Sequence, residues 1–158
     1  MARRQSQRQG RDGQGIEAPA QLGDSVTMTA IGLTFDTGAL IGLERSHAAI
    51  RKVYVTAIAR DVPISVPTVV VAEWWRAGKR EKERVTLLRS LRVEALHEST
   101  ARLAGVALGL VRGATTIDAI VMASAAARGD IVYTSDVADL EALRRGVPAF
   151  ARIGIIHV

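Results

Sequence analysis

The chain has 158 residues, no cysteine and a formal net charge of +5. A chain of this length suits one domain with a sizeable core. The missing cysteines exclude a disulfide framework, a thiolate zinc site and a cysteine nucleophile. No apolar run approaches the roughly 20 residues that a membrane helix needs, and the first residues lack the apolar segment of a secretory signal. We therefore expect a soluble cytoplasmic protein without a membrane partner.

Residues 1–27 differ in composition from the rest of the chain. They are rich in Arg, Gln and Gly, poor in large apolar residues, and carry four arginines against three acids. Such a segment buries too little apolar surface to offset the entropy lost on ordering. We predict a disordered basic N-terminal tail over 1–27 and a folded domain over 28–158.

Strand-like and helix-like apolar patterns alternate along the folded domain. In the first half of the domain they predict a strand ending at Asp36, helices over 37–45 and 47–61, a strand over 62–66 and a helix from Pro67 to Gly78. An amphipathic helix over 81–91 and a short strand over 92–97 follow. The remaining predicted elements are helices over 98–113 and 116–128, a strand over 131–134, a helix over 136–145 and a last strand over 152–158. This alternation favours the α/β class, with a parallel sheet covered by helices on both faces.

Two residue pairs carry further predictions about packing. Gly105 and Gly109 lie four residues apart in a predicted helix, which indicates a face that packs closely against a neighbour. Trp74 and Trp75 point about 100° apart on a helix, so at most one of them fits squarely into the core.

Four acidic residues recur at corresponding places in this pattern. Asp36 and Asp136 follow apolar strands, Asp118 opens the helix that leads into the strand before Asp136, and Glu73 lies about two turns into the helix after the second strand. Because the carboxyl ends of parallel strands form the edge at which such sheets bind ligands, we expect the four carboxylates to converge there.

Each carboxylate also has an ordinary structural explanation. Three of them occupy positions typical of helix-capping residues, and the fourth lies three residues from an arginine on one helix face. The groups concerned are Asp36 with the helix after it, Thr115 with Asp118, Asp136 with Asp139, and Glu73 with Arg76. The residues alone leave both interpretations open.

A convergence of four carboxylates would require a positive partner. Two such charges 4 Å apart repel by up to about 4 kcal/mol at an effective dielectric of 20. Carboxylate oxygens suit hard divalent ions such as Mg²⁺ or Mn²⁺, which also bind substrate phosphates. With a basic surface around it, such a site suits hydrolysis of a phosphodiester in a polyanion.

The segments LTFDTGAL, VVVAEWWR, ATTIDAIVMASAA and VYTSDVADL, in this order and separation, resemble the acidic motifs of PIN-domain ribonucleases. The resemblance is greatest to the VapC toxins of type II toxin–antitoxin (VapBC) systems, and it extends from about Ile31 to Val158. It implies a PIN-like three-layer α/β/α sandwich with a central parallel sheet of about five strands.

The same resemblance implies an activity, a metal and partners. It implies an endoribonuclease dependent on Mg²⁺ or Mn²⁺ that cleaves RNA such as tRNA or rRNA, forms a homodimer and is neutralised by a VapB-type antitoxin. The positions that match the catalytic and metal-binding acids of the family are Asp36, Glu73, Asp118 and Asp136, with Asp139 as a further acid and Thr134 as a supporting hydroxyl. Gly38 departs from the family, since many relatives have a serine there, which removes one expected hydroxyl contact.

Two other functions compete with this one. A PIN-like domain that binds RNA or a protein without cleaving it would share the fold. A phosphatase or phospho-accepting receiver with an aspartyl nucleophile would also carry an acid where Asp36 ends the first strand. A haloacid-dehalogenase-like phosphatase requires a second acid where Gly38 stands. A receiver requires an acidic pair after the first strand and a lysine after a late strand. The sequence therefore disfavours both.

Overall fold

The computed structural model describes residues 31–76 and 78–158. The predicted tail over 1–27 lies outside the described residues, and the domain boundary at residue 28 stays a prediction. The described part contains five strands, which are β1 (Leu33–Phe35), β2 (Ile64–Pro67), β3 (Arg92–Glu94), β4 (Ile131–Thr134) and β5 (Gly154–His157). They form one sheet with the order β3-β2-β1-β4-β5, in which every neighbouring pair is parallel.

Seven α-helices and one 3-10 helix connect and flank these strands within the described ranges. The α-helices are α1 (Thr37–Glu44), α2 (Ala48–Ala59), α3 (Thr68–Trp74), α4 (Glu81–Arg89), α5 (Glu98–Leu110), α6 (Thr116–Arg128) and α7 (Val137–Gly146), and the 3-10 helix covers Pro148–Phe150. This five-stranded parallel α/β sandwich confirms the predicted fold class. No helix of the described residues is both long and apolar enough to cross a membrane.

Helix α6 is the most deeply buried helix of the domain. Every residue from 119 to 125 is buried, because α6 packs against α5 and against the central strands. Thr115 caps its amino end, since its side-chain oxygen accepts a hydrogen bond from the amide of Asp118. Gly129 ends the helix in the left-handed conformation at φ 73°, which glycine adopts without strain. The helix limits predicted at residues 116 and 128 are confirmed.

Helix α3 is shorter than predicted. It ends at Trp74, and Trp75 already has an extended backbone (φ −65°, ψ 122°). Trp74 is 3% exposed, its indole Nε1 donates a hydrogen bond to Glu44 Oε2 at 3.0 Å, and the guanidinium of Arg84 lies 5.5 Å from the ring centroid. Glu44 and Arg84 lie outside the segment of α3, so the helical pattern of that segment does not predict these contacts. The prediction that only one tryptophan enters the core is confirmed, since Trp75 is only partly buried.

Helix α5 also departs from its prediction in length and in packing. It ends at Leu110, and Val111 is extended. A Cβ added at Gly105 or Gly109 would meet no atom within 4 Å. The prediction that these glycines pack closely against a neighbouring element is therefore wrong for the described residues. Ala104 and Ala107 provide the buried face instead.

A charged network that the sequence did not reveal ties the end of α6 to the sheet. Arg128 Nε donates to Asp130 Oδ2 at 2.8 Å, and Arg128 Nη2 donates to Thr34 Oγ1 at 2.9 Å. The Thr34 hydroxyl donates to Asp130 Oδ2 at 2.8 Å. Arg128 also forms an ion pair with Glu94 and a 3.0 Å hydrogen bond to Ser124 Oγ. Since Asp130 is 4% exposed, the network balances a charge that is almost removed from water.

Candidate active site

The candidate site lies at the edge of the sheet where β1 and β4 end. From β1 the chain adds β2 and β3 on one side of the sheet, and later adds β4 and β5 on the other. This reversal of strand order opens a crevice beyond the carboxyl ends of the two central strands, where ligands bind in open parallel sheets. Phe35 pairs with Tyr133, and the amide of Asp36 donates to the Tyr133 carbonyl at 3.3 Å. Asp36 therefore stands at the crevice, with Asp136 two residues beyond the end of β4.

Asp36 is a buried carboxylate that also caps a helix. It is 8% exposed, and its Oδ1 accepts a hydrogen bond from the amide of Ala39 at 2.7 Å. Burial raises its pKa to about 6, although hydrogen bonds from Thr134 and Ala39 lower it and repulsion from Asp118 raises it further. The capping role and the proximity to another acid are both present at this residue.

Asp118 is held at the amino end of α6 by Thr115. The Thr115 hydroxyl donates to Asp118 Oδ2 at 2.6 Å and accepts from the Asp118 amide at 3.1 Å. Burial raises the pKa of Asp118, the hydrogen bond from Thr115 lowers it, and repulsion from Asp139, Asp136 and Glu73 raises it further. Repulsion therefore links all five candidate acids in one cluster.

The remaining three acids are exposed, and two of the structural alternatives fail for them. The Glu73 carboxylate accepts a hydrogen bond from Thr37 Oγ1. Within the described residues it forms no ion pair with Arg76, whose Nη1 donates instead to the Trp75 carbonyl at 2.8 Å. Asp136 occupies the cap position of α7, yet its side chain makes no capping hydrogen bond. Its carboxylate is therefore not used by the helix.

The cluster has the chemistry of a metal site without a closed ligand cage. No lysine, arginine or histidine among residues 31–76 and 78–158 forms an ion pair with any of the five acids. Within the same residues, no three acidic or histidine side chains are arranged so that they could enclose one metal ion. The donor set fits a hard cation because it offers only oxygen and carries uncompensated negative charge.

Thr134 and Gly38 shape the floor of the site. Thr134 is completely buried, and its Oγ1 accepts from the amide of Asp136 at 2.8 Å while its hydroxyl contacts Asp36. A Cβ at Gly38 would stand 2.0 Å from Ser135 Oγ and 2.9 Å from Ser135 Cβ. Ser135 therefore fills the space beside the cluster that a serine at position 38 would need. Position 38 has no hydroxyl, but the hydroxyl of Ser135, in the loop after β4, lies beside it.

Sequence reasoning missed Thr37 and Ser135 as residues of the site, whereas the pairing of Thr115 with Asp118 was predicted as a helix cap and is confirmed. A usable signal was present for both missed residues, because a hydroxyl residue precedes or follows an acid in DT and TSD. The pairing of Thr37 with Glu73, 36 residues away, has no such local signal.

A separate groove lies away from the acid cluster. It has a volume of about 560 Å³, lies among α1, α2, α3 and α4, and includes Glu44, Trp74 and Arg84 in its lining but none of the five acids. The acid cluster therefore lies outside this groove.

Comparisons with known proteins identify the fold. No protein-family model and no curated protein sequence matches the chain. Among solved structures, the chain is similar to the DNA-bound VapBC2 complex from Rickettsia felis (TM-score 0.61, 15% identity, 81% of this chain and 99% of that chain). It is also similar to DNA-bound VapBC from Salmonella typhimurium (TM-score 0.60, 16% identity, 80% and 98%).

A toxin–antitoxin complex from Klebsiella pneumoniae shows the same likeness (TM-score 0.57, 16% identity, 79% of this chain and 96% of that chain). At these identities the similarity establishes a shared fold. The PIN-like architecture that the four acidic motifs implied is therefore confirmed as a fold.

Proposed function

We propose that this protein is a metal-dependent endoribonuclease and the toxin of a toxin–antitoxin pair, active in the cytoplasm and neutralised by a VapB-type antitoxin. The observation that carries the proposal is the cluster of five acids in which Asp118 is repelled by each of the other four, and which has no basic partner in the described part of the chain. The fold supports it, because the similar solved structures are toxin–antitoxin complexes.

Asp36, Glu73, Asp118 and Asp136 are the residues proposed to hold Mg²⁺ or Mn²⁺, with Asp139 as a further acid. When bound, such an ion supplies activation of a water for attack on phosphorus and neutralisation of charge on the leaving oxygen. The chain supplies no nucleophile in this scheme, so the carboxylates act as ligands and not as attacking groups.

The chain's own contacts divide the acids into two groups with different tasks. Asp36 Oδ1 is bound by the Ala39 amide and Asp118 Oδ2 by the Thr115 hydroxyl, so these two carboxylates have set orientations. Asp136 and Asp139 are exposed, and within the described residues their carboxylates accept no hydrogen bond. The oriented pair defines the position of the cation, and the exposed acids adjust to it and to the substrate.

An RNA substrate is proposed from the charge of the molecule, and tRNA or rRNA from the sequence resemblance. The chain carries a net charge of +5 although five acids gather at one edge, so the rest of its surface attracts phosphates. A homodimer is proposed from the sequence resemblance alone.

Cleavage of total cellular RNA by the purified, antitoxin-free protein tests this function in the presence of Mg²⁺, Mn²⁺ or a chelator. The Asp118→Asn variant removes one charge from the cluster, and Asp61→Asn makes the same change at an exposed residue outside it. Asn is suited to position 61, where φ is 53°. We expect discrete fragments with metal only, a loss of about 100-fold or more in Asp118→Asn, and wild-type cleavage in Asp61→Asn.

Two outcomes would contradict the proposal in different ways. Equal cleavage by Asp118→Asn and the wild type would remove Asp118 from the chemistry. RNA binding without cleavage in either metal, by protein shown to be folded, would identify the alternative, a PIN-like domain that binds RNA and does not cut it.

A further inference from the structure

Glu73 is an exposed acid of the cluster, near the end of a short helix. It lies in the last turn of α3, one residue before that helix ends, and its side chain is exposed. A glutamate side chain loses substantial rotamer freedom when it is held in one position. A second residue is therefore needed to keep its carboxylate beside the other acids.

Thr37 is the residue that contacts the Glu73 carboxylate. Its Oγ1 donates a hydrogen bond to Glu73 Oε2, and it is the first residue of α1, directly after Asp36. The backbone of this turn is fixed, since Asp36 Oδ1 accepts from the Ala39 amide. A β-branched side chain such as threonine has few rotamers. The turn that begins α1 thus carries both the buried carboxylate of Asp36 and the Thr37 hydroxyl, which binds the exposed carboxylate of Glu73.

The helix itself does not use the Thr37 hydroxyl. The cap of α1 is provided by Asp36, and the helix start requires no further side-chain acceptor. Thr37 is only partly buried, so its hydroxyl is not required to satisfy a core position either. Its one side-chain hydrogen bond within the described residues joins α1 to Glu73 on α3.

We propose that Thr37 is a positioning residue of the acid site, whose hydroxyl holds the Glu73 carboxylate beside the turn that carries Asp36. This inference rests on the proposed function, since it assigns a role within the same site. A hydroxyl that donates to a carboxylate restricts the orientation of that carboxylate. Thr37 does not contact the reacting atoms in this scheme and acts only through Glu73.

The test combines RNA cleavage with manganese affinity, measured by calorimetry on the full chain without substrate. Thr37→Val keeps the branched shape and removes the hydroxyl, Thr37→Ser restores it, and Thr56→Val makes the same change at an exposed position of α2. We expect Thr37→Val to lower kcat about 10- to 100-fold with little change in KM, because a misplaced group affects the chemical step more than RNA binding. Thr37→Ser should return to within about 3-fold of the wild type, and Thr56→Val should match it.

Manganese affinity and a double variant separate positioning from a general loss of structure. Thr37→Val should bind Mn²⁺ about 3- to 10-fold more weakly than the wild type, and it should have no further effect in a Glu73→Ala background. An equal loss in both backgrounds, or an unchanged kcat and Mn²⁺ affinity, would overturn the proposal for Thr37.

The proposed function and the role of Thr37 can fail separately. If the wild type binds Mn²⁺ but cleaves no RNA, the nuclease function fails, and the Mn²⁺ affinity of Thr37→Val still decides the role of Thr37. If the wild type neither binds Mn²⁺ nor cleaves RNA, both proposals are wrong.

Discussion

Among single residues, Asp36 carries two opposed effects. Its carboxylate caps α1 through the 2.7 Å hydrogen bond from Ala39, which stabilises the fold. The same carboxylate is buried, and burial raises its pKa to about 6 from an ordinary value of 3.8. Above pH 6 the folded protein therefore holds a charge that water would stabilise better. A residue with this balance is typical of a functional site.

The Asp36→Asn variant should be more stable than the wild type in the absence of divalent metal. The amide keeps an oxygen for the Ala39 hydrogen bond and removes the buried charge. A pKa difference of about two units corresponds to about 2 to 3 kcal/mol, and we expect a gain approaching that value at pH 7.5. Urea unfolding in the presence of a chelator measures it.

The gain should depend on pH with a definite sign. As the pH falls through 6, the folded wild type takes up a proton before the unfolded chain does, so the destabilising charge disappears. The difference between the variant and the wild type should therefore shrink from pH 6 and vanish near pH 4. A difference that stays constant between pH 7.5 and 4 would show that charge burial at Asp36 is not its cause.

Gly38 makes a second prediction about a single residue. Since an added Cβ would stand 2.0 Å from Ser135 Oγ and 3.1 Å from the Ser135 amide nitrogen, Gly38→Ala must displace the loop after β4. We expect a loss of about 1 to 3 kcal/mol in the free energy of unfolding. Gly105→Ala is the matched control, because its Cβ would enter open space on a helix and should stabilise by about 0.5 to 1 kcal/mol. Equal effects of the two changes in urea unfolding would contradict this reasoning.

Among the secondary-structure elements, α6 connects the two ends of the sheet. Asp118 lies in its first turn at the acid cluster, and Arg128 is its last residue, in the network with Asp130 and Glu94. The buried stretch between these ends fixes their separation.

The Arg128→Met variant should be strongly destabilised. It leaves Asp130, which is 4% exposed, and Glu94 without their cation, and removal of one partner from a buried pair costs about 3 kcal/mol or more. In Arg102→Met the lost pair with Glu98 is exposed (79% and 84% for the two side chains), so the change should be within about 0.5 kcal/mol. Urea unfolding of both variants measures the difference, and similar losses would show that burial does not control the strength of these pairs.

The elements that were predictable from the sequence are those whose limits are set locally. Helix α6 begins at a threonine cap and ends at a left-handed glycine, and both signals lie within the segment itself. Asp36 and Asp136 were placed at one edge because each follows a strand, and neighbouring parallel strands end at the same edge. The fold class follows from the same alternation of strands and helices.

The errors and omissions concern contacts between distant segments. Helix α3 ends at Trp74, whose indole binds Glu44, 30 residues earlier in the chain. The Arg128 network joins residues up to 96 positions apart. The glycines of α5 matched a close-packing pattern, but the pattern does not state whether a partner helix is present on that face.

For the whole molecule, the balance of charge predicts that divalent cations stabilise the fold. A ligand that binds only the folded state at 100 times its Kd adds about 2.7 kcal/mol. For a domain of this size we expect Mg²⁺ or Mn²⁺ to raise Tm by roughly 8 to 10 °C. Differential scanning fluorimetry with each ion, and with K⁺ at equal ionic strength, measures the shift.

The Asp36→Asn variant is also the control for this thermal shift. It should melt above the wild type without metal and gain less than the wild type when metal is added. An equal Tm increase in both proteins, or an increase with K⁺ alone, would indicate a general salt effect in place of binding at the cluster.

The order in which the five acids occur along the chain has a consequence for its synthesis. Asp36 directly follows the first strand of the chain, whereas Asp118, Asp136 and Asp139 lie in the last third of the chain, and β4 takes the place directly beside β1. A ribosome that adds about 5 to 20 residues per second releases the last of these acids several seconds after the first. Until β4 has emerged and inserted beside β1, the nascent chain holds the acids apart. It therefore cannot form the cluster during most of its own translation.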